Sequence, residues 1–322
     1  MSVSLTVQHA DKIQAAIESD AAAKSALVAS WRRSAALHRL DPAERKPPSR
    51  LTDSELSEAR QRIEPLVRAA RASLDRLYLA VGGIGCCVLL ADRDGVPVER
   101  RGAVADDGTF QGWGLWTGSV WSEESEGTNG IGTCLVEHRS LTIHRDQHFF
   151  TRNTLLSCTT APIYDHEGNL AAALDVSSCR ADLTEGFVHL MAVAVGDAVR
   201  RIEAENFRLA FPEARILLAL TPDNAMNALV AVDKDDLVVG ATRSARMAFG
   251  ITPDAFARPL PAARLFGVES DHEAELSTAE RGVLERALIR CDGNVTAAAR
   301  SLGISRATLH RKLNRLGVRH NR

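Results

Sequence analysis

The pattern of apolar and polar positions divides the chain into helical ends around a strand-rich centre. Asp11 to Arg33 is rich in alanine and charge and predicts a helix. A second helix is expected from Asp53 to Leu77, with Ile63, Leu66, Val67, Ala70 and Leu74 along one face. Thr52 and Glu55 have capping-box spacing at its start. Pro65 should kink or break it, because it removes a hydrogen bond from the ladder. From Leu77 the pattern becomes that of strands. Cys86–Leu90 and Pro97–Arg100 flank the turn Asp92–Gly95, and Leu135–Val136 pairs with Leu141–Ile143. Thr159–Tyr164 and Leu170–Val176 flank the turn Asp165–Gly168. A long helix from Leu183 to about Leu209 carries the stripe Phe187, Leu190, Met191, Ala194, Val195, Ala198, Val199 and Ile202. It is expected to pack on the sheet, to pair with its copy, or to do both. Leu229–Val232, an acidic turn, Leu237–Val239 and a short helix at Ser244–Phe249 form a unit too small to stand alone.

The last segment repeats the helical spacing twice. Val295, Ala298, Ala299 and Leu302 share one side of a short helix, and Leu309, Leu313 and Leu316 share one side of the next. Gly303 lies between them. Ser305 sits at an N-cap position and Gly317 at the left-handed C-terminal one. This is a helix-turn-helix, and its second helix is the one that would enter a DNA major groove. The fold class expected is α+β: an antiparallel sheet flanked by helices, ending in an all-α module.

Charge strengthens that reading. The chain of 322 residues carries 39 Lys and Arg against 41 Asp and Glu, a net of −2. Residues 276–322 hold ten basic and three acidic side chains, so a tail of +7 follows a body of −9. A basic module on an acidic body is the electrostatic footprint of nucleic-acid binding. At 45% hydrophobic and 25% charged, the composition is that of a globular protein with a real core. No apolar run approaches the ~18 residues of a membrane span, and the polar first twenty residues do not read as a signal peptide. A cytoplasmic setting is therefore expected. The six cysteines lack any C-x-x-C pair and read as reduced thiols.

The most unusual stretch runs from Phe110 to Pro162. Trp113, Trp116 and Trp121 fall within nine residues and precede Glu123–Thr133, which contains Gly127, Gly130 and Gly132. It reads as a loop and helix start closing over an aromatic-lined cavity, with glycines that let backbone approach its contents. It is neither a dinucleotide fingerprint nor a P-loop.

Trp121-Ser-Glu-Glu, Gly127-Thr-Asn-Gly-Ile-Gly-Thr133, His148-Phe, Leu156–Ile163 and Gly168-Asn-Leu through Leu174-Asp-Val-Ser177 resemble the GAF sensor domain of acetoin-catabolism-type bacterial transcription activators. Ser30-Trp-Arg-Arg-Ser34 with Asp41-Pro42 is similar to their N-terminal helical segment. Leu229–Phe249 is similar to a truncated PAS domain, and the final segment to a Fis-type helix-turn-helix. The resemblance implies an N-terminal helical segment at 1–76, a GAF-like domain at 77–182, and a connecting or dimerisation helix at 183–210. A PAS-like remnant with linker follows at 222–270, and the DNA-binding module at 277–322. Such regulators usually carry an AAA+ ATPase between sensor and DNA-binding module. This chain has no G-x-x-x-x-G-K-[ST] motif and no room for that domain between Leu209 and Ser277.

The resemblance places Ser305, Arg306 and Thr308 at base edges. Arg306 is suited to a bidentate guanine contact worth about 1–3 kcal/mol of discrimination. Arg311, Lys312 and Arg315 are expected on phosphates, and Thr296 and His310 complete the DNA-contacting set. For the sensor, three readings stand: a small apolar effector among Trp113, Trp116, Trp121, Glu123, Thr128, Asn129 and Cys158; a vestigial pocket serving dimerisation; or a metal, haem or redox sensor using Cys134, His144, His148 and Cys158. A cysteine-dependent methionine sulfoxide reductase using Cys86, Cys87, Cys134 and Cys158 is the enzymatic alternative. The expected protein is a homodimeric, non-enzymatic regulator without cofactor that binds a two-fold-related DNA operator. It would act by occupancy or by contact with RNA polymerase.

Overall fold

The computed structural model describes residues 2–19, 25–180, 184–219, 228–267 and 272–318. The expected starts of the long helix at Leu183 and of the PAS-like remnant at 222 lie outside the described residues. So do its end at 268–270 and the last four residues of the expected DNA-binding module. The chain divides into two compact units, residues 1–260 and 261–322.

The first unit begins with α1 (Ser2–Glu18) and α2 (Ala26–Arg32), where one helix was expected, and α2 runs on into a π-helical turn at Arg33–Leu37. Thr52 and Glu55 form both arms of a capping box on α3 (Asp53–Arg62). The helix ends there, and α4 (Glu64–Val81) restarts with Pro65 in its first turn, where the missing N–H had no partner to lose. The break expected at Pro65 is thus present. Next come β1 (Cys86–Asp92), β2 (Pro97–Arg101), α5 (Asp107–Gly112), α6 (Glu123–Glu126), α7 (Gly130–Glu137), β3 (Leu141–His144), β4 (Ser157–Tyr164), β5 (Leu170–Ser178) and α8 (Glu185–Ala210). Leu135–Val136, expected as a strand, belongs to α7. Ile131, Cys134 and Leu135 share its buried face at helical spacing.

The five strands pair antiparallel in the order β2-β1-β5-β4-β3. Alternation sorts the side chains of β1 to opposite faces. Cys86, Val88 and Leu90 face α4 and α8, with Leu66, Leu74, Met191, Val195 and Ile202. Cys87, Leu89 and Ala91 face the layer of Phe110, Leu115, Trp121 and Ile131. The stripe of α8 therefore packs against its own chain. Leu190 is the exception, at 62% exposure.

The last two turns of α8 serve a second sheet: β6 (Arg215–Leu218), β7 (Leu229–Val232) and β8 (Val238–Ala241) in that order, followed by α9 (Arg243–Phe249). The edge strand β6 was not expected. Phe207 is buried against Leu229 and Ala231, with Phe211 and Ile216 beside it, so the helix supplies a core the small unit lacks by itself.

The second unit contains α10 (Ala262–Leu265), α11 (His272–Arg290), α12 (Val295–Ser301) and α13 (Arg306–Arg315). Leu284, Ala287, Leu288, Ala298, Ala299, Leu309 and Leu313 form its core. The turn passes through Gly303 at φ 68°, a left-handed position that glycine adopts without strain.

Candidate functional site

The Ser30–Ser34 motif docks on the first sheet's domain through a buried polar network. Ser30 Oγ donates to Glu123 Oε2 at 3.1 Å and lies 2.7 Å from Thr128 Oγ1. Arg33 donates from Nε to Glu123 Oε1 at 2.7 Å and from Nη2 to Glu137 at 2.9 Å. The Glu123 hydrogen bond, foremost, raises an already high guanidinium pKa further. Trp31 donates its indole N–H to Gln147 O at 2.8 Å and joins Ile13, Val28, Phe149 and Phe150 in a local core. Between motif and domain lies a cavity of about 140 Å³ lined by Ser30, Thr128, Thr133, Glu137 and Thr142.

The seven expected ligand contacts occupy different surroundings in the structure. Trp121 is buried in the core and donates to Gly114 O at 2.8 Å. Trp113 and Trp116 are half-buried, and the guanidinium of Arg100 lies 4.2 Å from the Trp116 ring centroid. Asn129 caps α7, accepting the Gly132 N–H at 2.9 Å and donating to Gly127 O at 2.8 Å. Glu123 and Thr128 face the Ser30 motif, and of the seven only Thr128 lines the 140 Å³ cavity. The glycines admit protein rather than ligand. A Cβ on Gly132 would lie 2.3 Å from the Glu123 nitrogen, and one on Gly130 2.6 Å from Cys158 Cβ.

Behind α7 a second polar chain is sealed in the core. Thr160 and Ser177 donate to Asp175 at 2.5 and 2.6 Å, Ser177 Oγ lies 3.1 Å from Cys158 Sγ, and Cys158 lies 3.5 Å from His148 Nε2. Burial raises Asp175 to about 6 and lowers His148 to about 4. Burial also raises Cys86 to about 11 and lifts Cys87, Cys134 and Cys158 above the usual thiol range. Burial thus favours the protonated thiols, which are poor nucleophiles. Cys86 faces the opposite side of the sheet from the other three. His144 is engaged with Ser157 at 2.8 Å. Among the described residues no three His, Cys, Asp or Glu side chains converge as a metal site.

In the second unit, Ser305 accepts the Thr308 N–H at 3.1 Å, and the two hydroxyl oxygens are 2.8 Å apart. Thr296, Arg306 and Arg311 are exposed, whereas Thr308 and His310 are half-buried. Lys312 and Arg315 form ion pairs with Glu280 of α11. Sequence reasoning missed Glu280, whose only signal is its place among the three acids of a basic tail. Glu123, expected among the ligand contacts, is engaged by Ser30 and Arg33 of the N-terminal motif.

Comparison with known proteins matches the GAF domain profile to residues 55–202. The profile described as "Bacterial regulatory protein, Fis family" matches residues 275–316. The chain is 35% identical over 237 residues to the acetoin catabolism regulatory protein of Cupriavidus necator, covering 72% of this chain and 36% of that protein. It is 27% identical over 189 residues to the acetoin dehydrogenase operon transcriptional activator of Bacillus subtilis, covering 59% and 31%. The chain thus spans about a third of the length of the curated relatives it matches. Among solved structures, the Escherichia coli DhaR(N)–DhaL complex shares the fold at a TM-score of 0.51 and 13% identity, covering 71% of this chain and 77% of that one. The chain therefore carries a GAF domain and a C-terminal Fis-type helix-turn-helix, and the relatives it resembles are transcriptional regulators of acetoin catabolism.

Proposed function

We propose that this chain, which joins a GAF domain to a Fis-type helix-turn-helix, is a non-enzymatic transcriptional regulator whose DNA affinity responds to a small molecule. The observation that carries the DNA-binding half is the first turn of α13. It is capped by Ser305, its Arg306 is exposed, and it belongs to a tail of net charge +7. Ser305, Arg306 and Thr308 read bases. Thr296, His310, Arg311, Lys312 and Arg315 contact the backbone and fix register without specifying sequence. Two copies bind a two-fold-related operator, in the cytoplasm. Without an ATPase motif the protein acts by occupancy or by contact with RNA polymerase.

The effector site we favour is the cavity between the Ser30 motif and the GAF domain rather than the tryptophan cluster. Its 140 Å³ matches the roughly 150 Å³ of a cavity that holds benzene, and its hydroxyls suit a small oxygenated metabolite. An effector there shifts DNA affinity only through different affinities for two states. Selection of DNA from a random pool by the purified chain tests the first half. A convergent site is expected, and Arg306→Ala should relax preference at one base step by about 1–3 kcal/mol. A pool that never converges would overturn the DNA-reading assignment.

A further inference from the structure

A cavity of about 530 Å³ opens on the side of the GAF domain away from the Ser30 motif. It lies where the α3–α4 break, the β1–β2 turn, the β4–β5 turn and α8 meet. Its volume is in the range of small-molecule sites, about 300–1,000 Å³. Ile63, Leu66 and Leu170 give it an apolar wall. Asn206 of α8 lines it at 5% exposure, and no hydrogen bond from its carboxamide is formed among the described residues. The carboxamide is not among the fully buried polar atoms left without a partner, so solvent reaches it, and a ligand entering the cavity would take the place of that water.

The lining also says what that partner is. Arg62 and Arg93 are matched by Asp92 and Asp165, and Arg62 is already paired with Asp92 at 3.2 Å. A charged ligand would gain no net attraction. A carboxamide presents one acceptor and a donor side by side, which complements an amide, a lactam or the edge of a nucleobase. We infer that this cavity is a second small-molecule site, for a neutral ligand that joins an amide-like donor–acceptor edge to an apolar body and is held by Asn206.

The position gives such a ligand something to act on. Asn206 precedes Phe207, the buried anchor of the second sheet. His166 of the β4–β5 turn lies edge-on to Phe211 at 5.9 Å. A bound molecule therefore braces the GAF hairpin against the end of α8, where the small sheet begins.

The test is saturation-transfer NMR on the intact chain with nicotinamide, uracil and adenine as probes, and benzoate and benzylamine as charged counterparts. At least one neutral probe is expected to bind saturably and more tightly than either charged one. Asn206→Leu should weaken it at least tenfold. Asn206→Asp, which keeps the size and loses the donor, should weaken it as well and serves if the leucine variant folds poorly. Absence of binding by all three neutral probes, equal binding of charged and neutral probes, or unchanged binding in the folded variants would overturn the assignment. DNA plays no part in the readout, so its outcome is separable from that of the proposed regulator.

Discussion

Glu280 sets how much of the basic face of α13 is free to meet a phosphate. It holds both Lys312 and Arg315, and DNA must compete for them. Glu280→Gln is expected to raise affinity for all sequences with little change in the dependence of log K on log salt, because Lys312 and Arg315 reach the same phosphates without first breaking two ion pairs. Arg311 is exposed, and Arg311→Ala should lower that slope by about one. Titrations at several salt concentrations check both, and equal slopes in the two variants would contradict the assignment. Within the GAF core, Asp175 and His148 pull stability in opposite directions. With Asp175 raised to about 6, the folded state holds a proton that the unfolded carboxyl has released, so stability falls as pH rises from about 4 to 6. With His148 lowered to about 4, the unfolded imidazole takes up a proton first, so stability falls as pH drops from about 6.5 to 4. The two oppose each other in the wild type. Asp175→Asn should unmask the histidine, giving an acid-side loss on the order of 3 kcal/mol between pH 6.5 and 4. Urea melts across that range would show it.

At the scale of elements, α2 is joined to the GAF domain through Glu123, whose backbone packs against Gly132 of α7. Gly132 has no room for a side chain, since its Cβ would meet the Glu123 and Ser122 backbone. Gly132→Ala is expected to cost about 1–3 kcal/mol and to lower the melting temperature. Glu123→Ala leaves Arg33 facing Glu137 alone and should loosen α2 from the domain. Faster proteolysis or amide exchange in residues 25–37 would report this. These elements also show what a sequence reveals. The capping box at Thr52, the break at Pro65, the β4–β5 hairpin and both helices of the C-terminal module were legible, because each is fixed by local spacing. The partners of Glu123 were not, since Ser30 and Arg33 lie about 90 residues away and only the fold brings them together. Leu135–Val136 misled because a two-residue apolar pair cannot distinguish a strand from a helix face. The strand β6 was missed because its Ile-Leu-Leu run becomes an edge only once β7 is beside it.

At the scale of the whole molecule, one chain joins two candidate small-molecule cavities in its first unit to a basic helix-turn-helix in its second. Regulation by this chain requires that the second unit read DNA sequence. The direct measurement is fluorescence anisotropy of the intact chain, titrated into a duplex of the pool-selected sequence and into a scrambled duplex of the same composition at the same salt concentration. The expected result is binding to the selected duplex at least about 10³-fold tighter, with that margin reduced in Arg306→Ala. Equal affinity for the two duplexes would show that the basic tail holds DNA by charge alone, and the protein would not be a sequence-reading regulator.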